Sequence, residues 1–473
     1  MLSYPCAGGA NEGVLKPTSN EARMAGLFGT DGVRSRINTG PMTAEAVVRL
    51  ALAAGRWFVD HNRRKGNARP LVVIGKDTRL SGYMLEAALV AGFTSIGLDC
   101  RLLGPIPTPA VAHLTRSLRA ELGVMISASH NPHHDNGIKL FGPDGYKLDD
   151  QIEAEISALA AGSIELAEAS SLGRARRMLD SVGRYVEFAK SSLPRRARLD
   201  GLKIVVDCAN GAAYRTAPDS LYELGAEVVP LAVTPDGFNI NDACGAVHPN
   251  VMAAAVVAHG ADAGLSLDGD ADRLIMADET GTIIDGDQIL GCLALAMQRS
   301  GSLVDNAVVG TVMSNRGLEM MLGKAGITLH RTNVGDRYIL SKLRADKLAI
   351  GGEPSGHILL PGLARAGDGL LAGLQMLALL KQSDKPASAL FRCFEPNPQR
   401  LENLQGLDPS ILADEALQND IQQIEATMNG NGRVLVRPSG TESLIRVMVE
   451  AENNRLLNST MDALILRIRN AAG

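Results

Sequence analysis

The feature that most constrains the fold of this 473-residue chain is a repeated local pattern. A short run rich in β-branched residues ends in a polar, glycine-rich loop, and a stretch with helical spacing follows. The clearest runs lie at 71–75, 203–207 and 307–313. Buried strands that alternate with helices predict α/β layers with largely parallel sheets. Ligands bind beyond the carboxyl ends of such strands, so the site is expected in these loops.

The length predicts three or four domains, at about 150 residues each. A polar, Ala- and Ser-rich stretch at roughly 160–180 and the segment 394–400 are interpreted as boundaries. After the second of these, the order of elements indicates a small α+β unit. The predicted organisation is a disordered N-terminal extension at 1–23, α/β domains at 24–165, 180–284 and 285–393, and a smaller domain at 398–473. Met24 is a plausible alternative start.

Composition excludes several classes of protein. The net charge is −5, aromatic residues make up 3% and there is one Trp, which disfavours nucleic-acid binding. No apolar run approaches the ~20 residues needed to cross a bilayer, and the first residues do not resemble a signal peptide. The six cysteines lack metal-binding spacing and are interpreted as buried reduced thiols. We therefore expect a cytoplasmic protein that binds neither nucleic acid nor membrane.

The first loop with chemistry lies at 123–141, where an apolar strand runs directly into Ser129 and His130. A serine at a strand end, in a turn closed by Asn-Pro, is a good position for an exposed hydroxyl. It lacks the GxSxG elbow of the hydrolases. Lys139 follows in the same segment. From these residues alone, Ser129 has an alternative interpretation as a hydroxyl that only forms the turn.

A second loop, at 265–273, carries carboxylates at alternate positions: Asp268, Asp270 and Asp272. Oxygen ligands of this kind suit Mg²⁺, and such close carboxylates repel one another unless a cation lies among them. An EF-hand is disfavoured because Arg273 occupies the position that needs glycine. An aspartyl phosphatase is disfavoured because Asp272 stands where threonine or valine is required. A solvated acidic turn is a further alternative.

The third loop, GGEPSGH at 351–357, offers Glu353 and Ser355 to the hydroxyls of a polyol. His357 could move a proton near neutral pH. A tight turn without ligand contacts is the alternative interpretation of these residues.

The fourth loop, VRPSGTESLIR at 436–446, is interpreted as an anion cradle. Guanidinium groups suit bidentate phosphate binding, and hydroxyls and backbone amides complete it. The residues concerned are Arg437, Ser439, Gly440, Thr441 and Arg446. It is not a Walker A loop, because the GK[ST] sequence is missing.

Further cations come from FGTDGVR, with Arg34, and from GKDTRLSG, with Lys76 and Arg79. Together the loops offer a nucleophile, a metal site, hydroxyl recognition and a grip on phosphate. This combination indicates phosphoryl transfer on a phosphorylated polyol.

The motifs SASHNP, DGDADR, GEPSGH and RPSGTE, in this order, resemble those of the α-D-phosphohexomutase superfamily. FGTDGVR, NGIKLF, VGTVMSN and TNVGDRY are most similar to those of the bacterial phosphoglucosamine mutases. The resemblance covers essentially everything from Leu27 onward. It implies four domains around a central cleft, three of them α/β domains with mixed sheets and the fourth a smaller C-terminal α+β domain. It also implies interconversion of glucosamine 6-phosphate and glucosamine 1-phosphate, on the route to UDP-N-acetylglucosamine and peptidoglycan.

The resemblance also implies a role for each loop. Ser129 would be the phosphoserine, and glucosamine 1,6-bisphosphate would be the intermediate that turns around in the cleft and also the activator. One Mg²⁺ per subunit would be held by Asp268, Asp270, Asp272 and an oxygen on phosphorylated Ser129. Lys139 and His357 are both candidates for the proton transfer and are not separated by the sequence, and His130 and Arg34 are further catalytic candidates. The remaining residues follow from their loops: Arg273 for substrate charge; Glu353 and Ser355 for sugar hydroxyls; and Arg437, Ser439, Gly440, Thr441 and Arg446 for the distal phosphate. A homodimer is implied as well.

Three alternatives stay open at this point. The nearest is the same chemistry on another sugar, as in phosphomannomutases and phosphoglucomutases. It stays open because Pro354 lies in the third loop (351–357, called the sugar loop below), where relatives often carry a polar residue. A metal-dependent phosphatase with Asp268 as nucleophile is the second. A mutase-shaped binding protein without activity is the third.

Overall fold

The computed structural model describes residues 27–29, 31–61, 69–194, 197–438 and 444–472. Within these ranges the strands form four sheets, and helices follow the strands as the sequence pattern predicts. Three sheets are mixed and the last is antiparallel. The predicted fold class, three α/β domains followed by a smaller α+β domain, is confirmed.

The first sheet has six strands in the order β1-β5-β4-β2-β3-β6, and β5 alone pairs antiparallel with its neighbours. The strands are β1 Val33–Arg36, β2 Leu71–Lys76, β3 Asp99–Pro105, β4 Leu122–Ile126, β5 Asp135–Phe141 and β6 Ala175–Arg177. The helices are Ala44–His61, Gly82–Ser95, Thr108–Ser117 and Asp150–Ala161, with 3₁₀ turns at Gly40–Met42 and Ala169–Ser171. Because β6 comes from the stretch interpreted as a boundary, the first sheet extends past residue 165.

The second sheet has the order β11-β10-β9-β7-β8. Its parallel pairs are β7 with β8 and β7 with β9, and β10 is antiparallel to both neighbours. The strands are β7 Lys203–Asp207, β8 Glu227–Leu231, β9 Ala263–Leu267, β10 Leu274–Asp278 and β11 Ile283–Ile284. The helices are Ser181–Ser191, Thr216–Glu223 and Asn250–His259. The loop that carries Asp268, Asp270 and Asp272, called the acidic loop below, is therefore the short connection between β9 and β10.

The third sheet has the order β13-β12-β14-β15, with β14 and β15 antiparallel. Its strands are β12 Ala307–Thr311, β13 Thr328–Thr332, β14 Gly351–Gly352 and β15 Ile358–Leu359. Its helices are Gly286–Arg299, Arg316–Lys324, Asp336–Ala345, Gly369–Gln382 and Ala387–Phe391, with a 3₁₀ turn at Val304–Asn306. The sugar loop is the connection between β14 and β15.

The fourth sheet is antiparallel, in the order β16-β18-β17. Its strands are β16 Gln399–Gln405, β17 Gly432–Pro438 and β18 Leu444–Ala451. A 3₁₀ turn at Pro409–Ala413 and the helices Glu415–Ala426 and Asn454–Ala471 complete the unit. The sequence predicts the two helices, β17 and β18, but not β16, which begins inside the segment interpreted as a linker.

The four sheets are separate, but the first three domains share a hydrophobic core. One cluster runs through the first three domains and includes Met125, Leu265 and Leu374. The fourth domain has a core of its own, with Ile445 and Leu464 among its buried residues. The first three domains are thus packed together by burial of apolar surface, whereas the fourth carries a separate core.

The composition predicts buried thiols and no membrane-spanning segment, and both expectations can be compared with the described residues. Cys100, Cys208, Cys244 and Cys292 are buried free thiols, as predicted, and Cys393 is partly exposed. Cys6 lies outside the described residues. Among the helices described above, none combines the length and the apolar character needed to cross a bilayer.

Gly269 lies where the loops after β4 and β9 meet. A Cβ atom at this position would lie 2.5 Å from the carbonyl oxygen of Ser129 and 2.8 Å from Nδ2 of Asn241. On the other side, a Cβ at Gly211 would lie 2.4 Å from the carbonyl oxygen of Gly269. Glycine at both positions lets the loops approach backbone to backbone.

We therefore expect Gly269→Ala to destabilise the protein. The added methyl group would force the two loops apart, and overpacking of this kind costs about 1–3 kcal/mol. The measurement is the midpoint of urea unfolding followed by circular dichroism. Gly323→Ala is the matched control, because a Cβ added to this helical glycine would meet nothing within 4 Å and alanine favours the helix. Equal midpoints for the two variants would contradict the expectation.

Candidate active site

Ser129 lies a short distance beyond the buried end of β4, with φ at 52°. Its Oγ donates a hydrogen bond of 2.6 Å to Oδ2 of Asp268 and lies 3.3 Å from Nδ1 of His130. The residue is 1% exposed, so the prediction of an exposed hydroxyl is wrong for this structure. The Asp268 carboxylate, contributed by another domain, covers it.

The strained backbone of Ser129 is held by two side chains. A positive φ at a non-glycine residue costs about 1–3 kcal/mol and persists only where the surroundings enforce it. Here the carbonyl oxygen of Ser129 accepts hydrogen bonds from Nη2 of Arg79 at 3.0 Å and from Nδ2 of Asn241 at 2.9 Å. Nη2 of Arg79 also donates to the Asn131 carbonyl at 2.8 Å. These donors fix the direction in which the serine hydroxyl points.

The cations expected from GKDTRLSG do not act as the sequence suggests. Arg79 is 1% exposed and pairs through Nε with Asp77 at 2.8 Å, so it is an internal support of the serine turn. Nζ of Lys76 pairs with Glu86 at 2.8 Å and lies over the ring of Tyr83. Both the lysine and the arginine are already engaged within the first domain.

Three carboxylates converge in the acidic loop. One oxygen from each of Asp268, Asp270 and Asp272 lies within 4.8 Å of the others, and all three residues are buried. Burial, followed by the charges of Asp272 and Asp270, raises the pKa of Asp268 to about 8. The buried Oδ1 atoms of Asp270 and Asp272 accept no hydrogen bond from the described residues. These unsatisfied oxygens fit a hard divalent cation, which prefers an all-oxygen ligand set.

Lys139 lies against two members of this triad. Its Nζ is 2.9 Å from Oδ2 of Asp270, 3.1 Å from Oδ2 of Asp272 and 3.2 Å from Oδ2 of Asp31. Burial acts to lower the pKa of Lys139, but the three carboxylates outweigh it and hold the pKa well above its usual value. Lys139 therefore supplies a fixed positive charge at the edge of the acidic loop.

The two histidines near the triad are shifted in opposite directions. Burial lowers the pKa of His130 to about 4, and the neighbouring Arg273 and Arg34 guanidinium groups add to the effect. Burial also acts to lower the pKa of His357, but Asp272 and other carboxylates raise it above its usual value. Nδ1 of His357 lies 3.6 Å from Oδ1 of Asp272. His130 is therefore uncharged at neutral pH, whereas the carboxylates around His357 stabilise its charged form.

The sugar loop is a tight turn joined to the acidic loop. Within it, the Glu353 amide donates to the His357 carbonyl at 3.1 Å and the Gly356 amide to the Glu353 carbonyl at 3.0 Å. Arg273 and His357 form an isolated antiparallel bridge between the two loops. Oε2 of Glu353 accepts from Oγ of Ser355 at 3.1 Å. The tight turn is confirmed, and sugar contacts by Glu353 and Ser355 stay a prediction.

Arg437 and Arg446 lie directly opposite each other on β17 and β18. Burial and the facing Arg446 lower the pKa of Arg437. Like charges opposite each other on neighbouring strands are destabilising, and an anion between them would relieve the repulsion. Ser439, Gly440 and Thr441 lie outside the described residues, so only the two arginines of the predicted cradle are placed.

Sequence reasoning missed several residues that the fold brings to this site. Asp31 forms ion pairs with Arg34, Lys139 and Lys147, and Asp336 pairs with Lys147. Asp31 and Asp336 belong to the motifs FGTDGVR and TNVGDRY, so the signal was present, but neither had an assigned partner. Thr108 was not singled out, although its Oγ1 donates to Oδ2 of Asp270 at 2.5 Å.

Comparison with known families covers nearly the whole chain. Four models of phosphoglucomutase/phosphomannomutase domains match in order. They are α/β/α domain I at residues 25–166, α/β/α domain II at 183–281, α/β/α domain III at 285–396 and the C-terminal domain at 399–466.

Solved structures show the same fold. A phosphoglucomutase/phosphomannomutase family protein from Burkholderia thailandensis has a TM-score of 0.80 at 24% identity, covering 95% of this chain and 98% of that one. An N-acetylphosphoglucosamine mutase from Aspergillus fumigatus, in complex with GlcNAc-6P and magnesium, has a TM-score of 0.65 at 18% identity and covers 96% and 99%.

A curated relative is much closer in sequence. The phosphoglucosamine mutase of Paramagnetospirillum magneticum is 56% identical over 452 residues, which are 94% of this chain and 99% of that protein. With this identity along nearly the full length of both proteins, and with all four domain models in order, the chain belongs to the phosphoglucosamine mutase family of the α-D-phosphohexomutases.

Proposed function

We propose that this chain interconverts glucosamine 6-phosphate and glucosamine 1-phosphate by phosphoryl transfer to and from Ser129. The observation that carries the proposal is the 2.6 Å contact between the Ser129 hydroxyl and Asp268, which places the hydroxyl at the edge of a buried carboxylate triad. The family membership supports the choice of sugar. In this role the product would feed the route to UDP-N-acetylglucosamine and peptidoglycan.

The reaction consists of two transfers that each move one proton. In the first, the C1 hydroxyl oxygen of glucosamine 6-phosphate attacks the phosphorus on Ser129. A new bond to O1 forms, the bond to Oγ breaks, and a proton is transferred from the sugar to the serine side. After the 1,6-bisphosphate turns around, Oγ attacks the 6-phosphate, and the proton returns to O6. His357 is the proposed proton carrier beside the sugar, and Lys139 supplies a fixed positive charge there.

His130 and Asp268 are the proposed partners of the Ser129 hydroxyl when it gains or loses a proton in each transfer. Oγ of Ser129 lies within hydrogen-bond distance of the Asp268 carboxylate and close to Nδ1 of His130. An uncharged His130 can exchange a hydrogen bond with the serine without adding charge. The support of the turn by Arg79 keeps this geometry fixed.

The acidic triad would hold one Mg²⁺ per subunit. Asp268, Asp270 and Asp272 supply carboxylate oxygens, and phosphorylated Ser129 adds another. When bound, the cation would neutralise the triad and stabilise negative charge on the transferred group. The N-acetylphosphoglucosamine mutase cited above was solved with magnesium, and the unsatisfied Asp270 and Asp272 oxygens support the same ligand here.

The two ends of the substrate would be held by different domains. Arg437 and Arg446, with Ser439, Gly440 and Thr441, would bind the phosphate that is not reacting. Glu353 and Ser355 would contact the sugar hydroxyls, while Arg273 and Arg34 would balance charge near the reacting phosphate. Closure of the fourth domain would exclude water, which otherwise hydrolyses the phosphoserine.

The first expected outcome concerns substrate choice and the nucleophile. With Mg²⁺ and a trace of the matching 1,6-bisphosphate, turnover of glucosamine 6-phosphate should exceed that of glucose 6-phosphate and mannose 6-phosphate. Ser129→Ala should lose at least about a thousandfold in kcat, because the covalent step is removed. Activity is measured by coupled assay, and phosphate on Ser129 by mass spectrometry.

Three results would overturn this assignment. A preference for mannose or glucose phosphate would keep the chemistry and replace the sugar. Phosphate release by Ser129→Ala, lost in Asp268→Asn, would indicate the aspartate-nucleophile phosphatase. Stable phosphate on Ser129 without turnover of any of the three sugars would indicate a binding protein.

A second expected outcome concerns the cation. Chelation should abolish turnover, and added Mg²⁺ should restore it and raise the unfolding temperature, because binding at 100 times the dissociation constant stabilises by about 2.7 kcal/mol. Asp270→Asn should lose most of the Mg²⁺-dependent rise. Asp462→Asn, a largely exposed carboxylate, is the matched control. An equal rise in all three proteins would place the ion elsewhere.

A third expected outcome concerns the facing arginines. Arg437→Met and Arg446→Met should each raise KM about tenfold or more, since a hydrogen bond to a charged group contributes about 1.5–3 kcal/mol, with a smaller change in kcat. Neither should destabilise the free protein, because each removes a repulsion. Arg400→Met, which lies on β16 and pairs with Glu402, is the control. An unchanged KM would remove this pair from the phosphate site.

A further inference from the structure

Five charged side chains and one histidine form a closed ring that includes Asp272 of the acidic triad, with acidic and basic residues alternating around it. In order around the ring they are Lys139, Asp272, His357, Asp336, Lys147 and Asp31. Nζ of Lys139 is 3.1 Å from Asp272, whose other oxygen lies 3.6 Å from Nδ1 of His357. The remaining links run from His357 to Asp336 at 3.7 Å, from Asp336 to Lys147 at 2.5 Å, from Lys147 to Asp31, and from Asp31 to Lys139 at 3.2 Å.

The ring joins three domains. Asp31, Lys139 and Lys147 belong to the first, Asp272 to the second, and Asp336 and His357 to the third. The contact between Lys147 and Asp336 joins the first domain to the third and completes the ring. Asp336 is the first residue of a helix. Lys147 lies in the turn after β5 and forms an isolated bridge with Phe141, the last residue of that strand.

Burial shows that the ring is an internal feature of the site. The side chains of Lys147 and Asp336 are 21% and 18% exposed, while those of Lys139 and His357 are 1% and 6% exposed. Partly buried charges are costly to desolvate unless they are paired with good geometry. Within the ring, Asp31 contacts Lys139 and Lys147, and Asp336 contacts Lys147 and lies near His357. Loss of Lys147 would therefore change the position of both carboxylates relative to their remaining partners.

Lys147 and Asp336 line two cavities, a surface cavity of about 560 Å³ and a small one that lies against His357. The small cavity shows what the pair can contact on the side of His357. It has a volume of about 10 Å³ and is lined by Lys147, Asp272, Asp336 and His357, among others. This is close to the space of one water molecule and far below that of a hexose phosphate. On the side that faces His357, Lys147 and Asp336 therefore contact other side chains rather than a sugar.

We infer that Lys147 and Asp336 are positioning residues for the phosphoryl transfer: the Asp336 carboxylate lies 3.7 Å from His357, and Lys147 acts on Lys139 through Asp31. The inference rests on the proposed function, because it takes Lys139 and His357 as the groups beside the reacting oxygen. Asp336 faces Nε2 of His357, and Asp31 divides its two oxygens between Lys147 and Lys139. The link also aligns the first and third domains at this point of the cleft.

A purely structural tether is the competing explanation. A neighbouring link already exists between the same domains, because Arg337 pairs with Asp150 and lies 3.7 Å from Glu153. Removal of the Lys147–Asp336 pair should thus leave the domains together. The two explanations differ in kinetics: a positioning pair affects kcat, whereas a tether affects the amount of folded protein.

The test compares Lys147→Met, Asp336→Asn, the double variant and Lys147→Arg with the wild type. Each single change should lower kcat about 10–100-fold, as the loss of a supporting contact behind a reactive group commonly does, with little change in KM. The double variant should be no slower than the slower single variant, because both changes break one link. Lys147→Arg should recover part of the loss.

Controls and a second readout keep the outcome decisive. Lys342→Met and Asp346→Asn remove a more exposed pair at the other end of the Asp336 helix and should leave kcat unchanged. In metal-free protein, Lys147→Met should shift the imidazole NMR signals of His357, and Lys342→Met should not. The double variant removes two opposite charges together and leaves Asp31 paired with Lys139 and His357 beside Asp272, so it tests the inference even if a single variant fails to fold.

Two failures are distinguishable. A wild-type protein without mutase activity would overturn the proposed function. An active wild type, with a double variant of wild-type kcat or one that changes KM alone, would overturn only the positioning role. Unshifted His357 signals in Lys147→Met would count against it as well.

Discussion

The site is organised by the need to neutralise three buried carboxylates in one short loop. Asp268, Asp270 and Asp272 lie between two buried strands, where burial and mutual repulsion raise the pKa of Asp268 to about 8. A loop of this kind is stable only if positive charge is brought to it from elsewhere in the chain. Lys139, the Arg273 amide and the Thr108 hydroxyl meet part of this need, and the unsatisfied oxygens leave room for a cation.

The supply of compensating charge explains why the first three domains share one core. Lys139 comes from the first sheet and His357 from the third domain, so both must be held against a loop of the second. A continuous apolar cluster fixes the three units relative to one another. Ser129 depends on the same arrangement, because its φ of 52° is enforced by Arg79 and by Asn241 of the second domain.

The sequence was most informative about local structure and least informative about contacts between domains. The runs at 71–75 and 203–207 are strands with nearly the predicted bounds, since an apolar β-branched run between turn residues leaves little choice. The acidic loop could be recognised because its three carboxylates are close in sequence.

The sequence could not predict which residue pairs with each charged side chain. The sequence predicts Arg79 as one of the additional cations, but it is engaged by Asp77 and by the carbonyls of the serine turn. Ser129 was expected to be exposed, yet Asp268, far away in the chain, covers it. In each case the deciding contact joins segments that no local pattern relates.

The separate core of the fourth domain has a consequence for the energetics of opening. The described contacts that attach it to the third domain include polar ones. Arg433 donates to the carbonyls of Val312 and Ser314, and the amide of Arg316 donates to Glu450. Each such bond to a charged group contributes about 1.5–3 kcal/mol, whereas splitting a shared apolar core would expose many buried side chains at about 25 cal/mol per Å². The arginines that face each other on β17 and β18 therefore belong to a body that detaches at a lower cost than any of the first three domains, and hydrogen exchange should show the fourth domain as a separate cooperative unit.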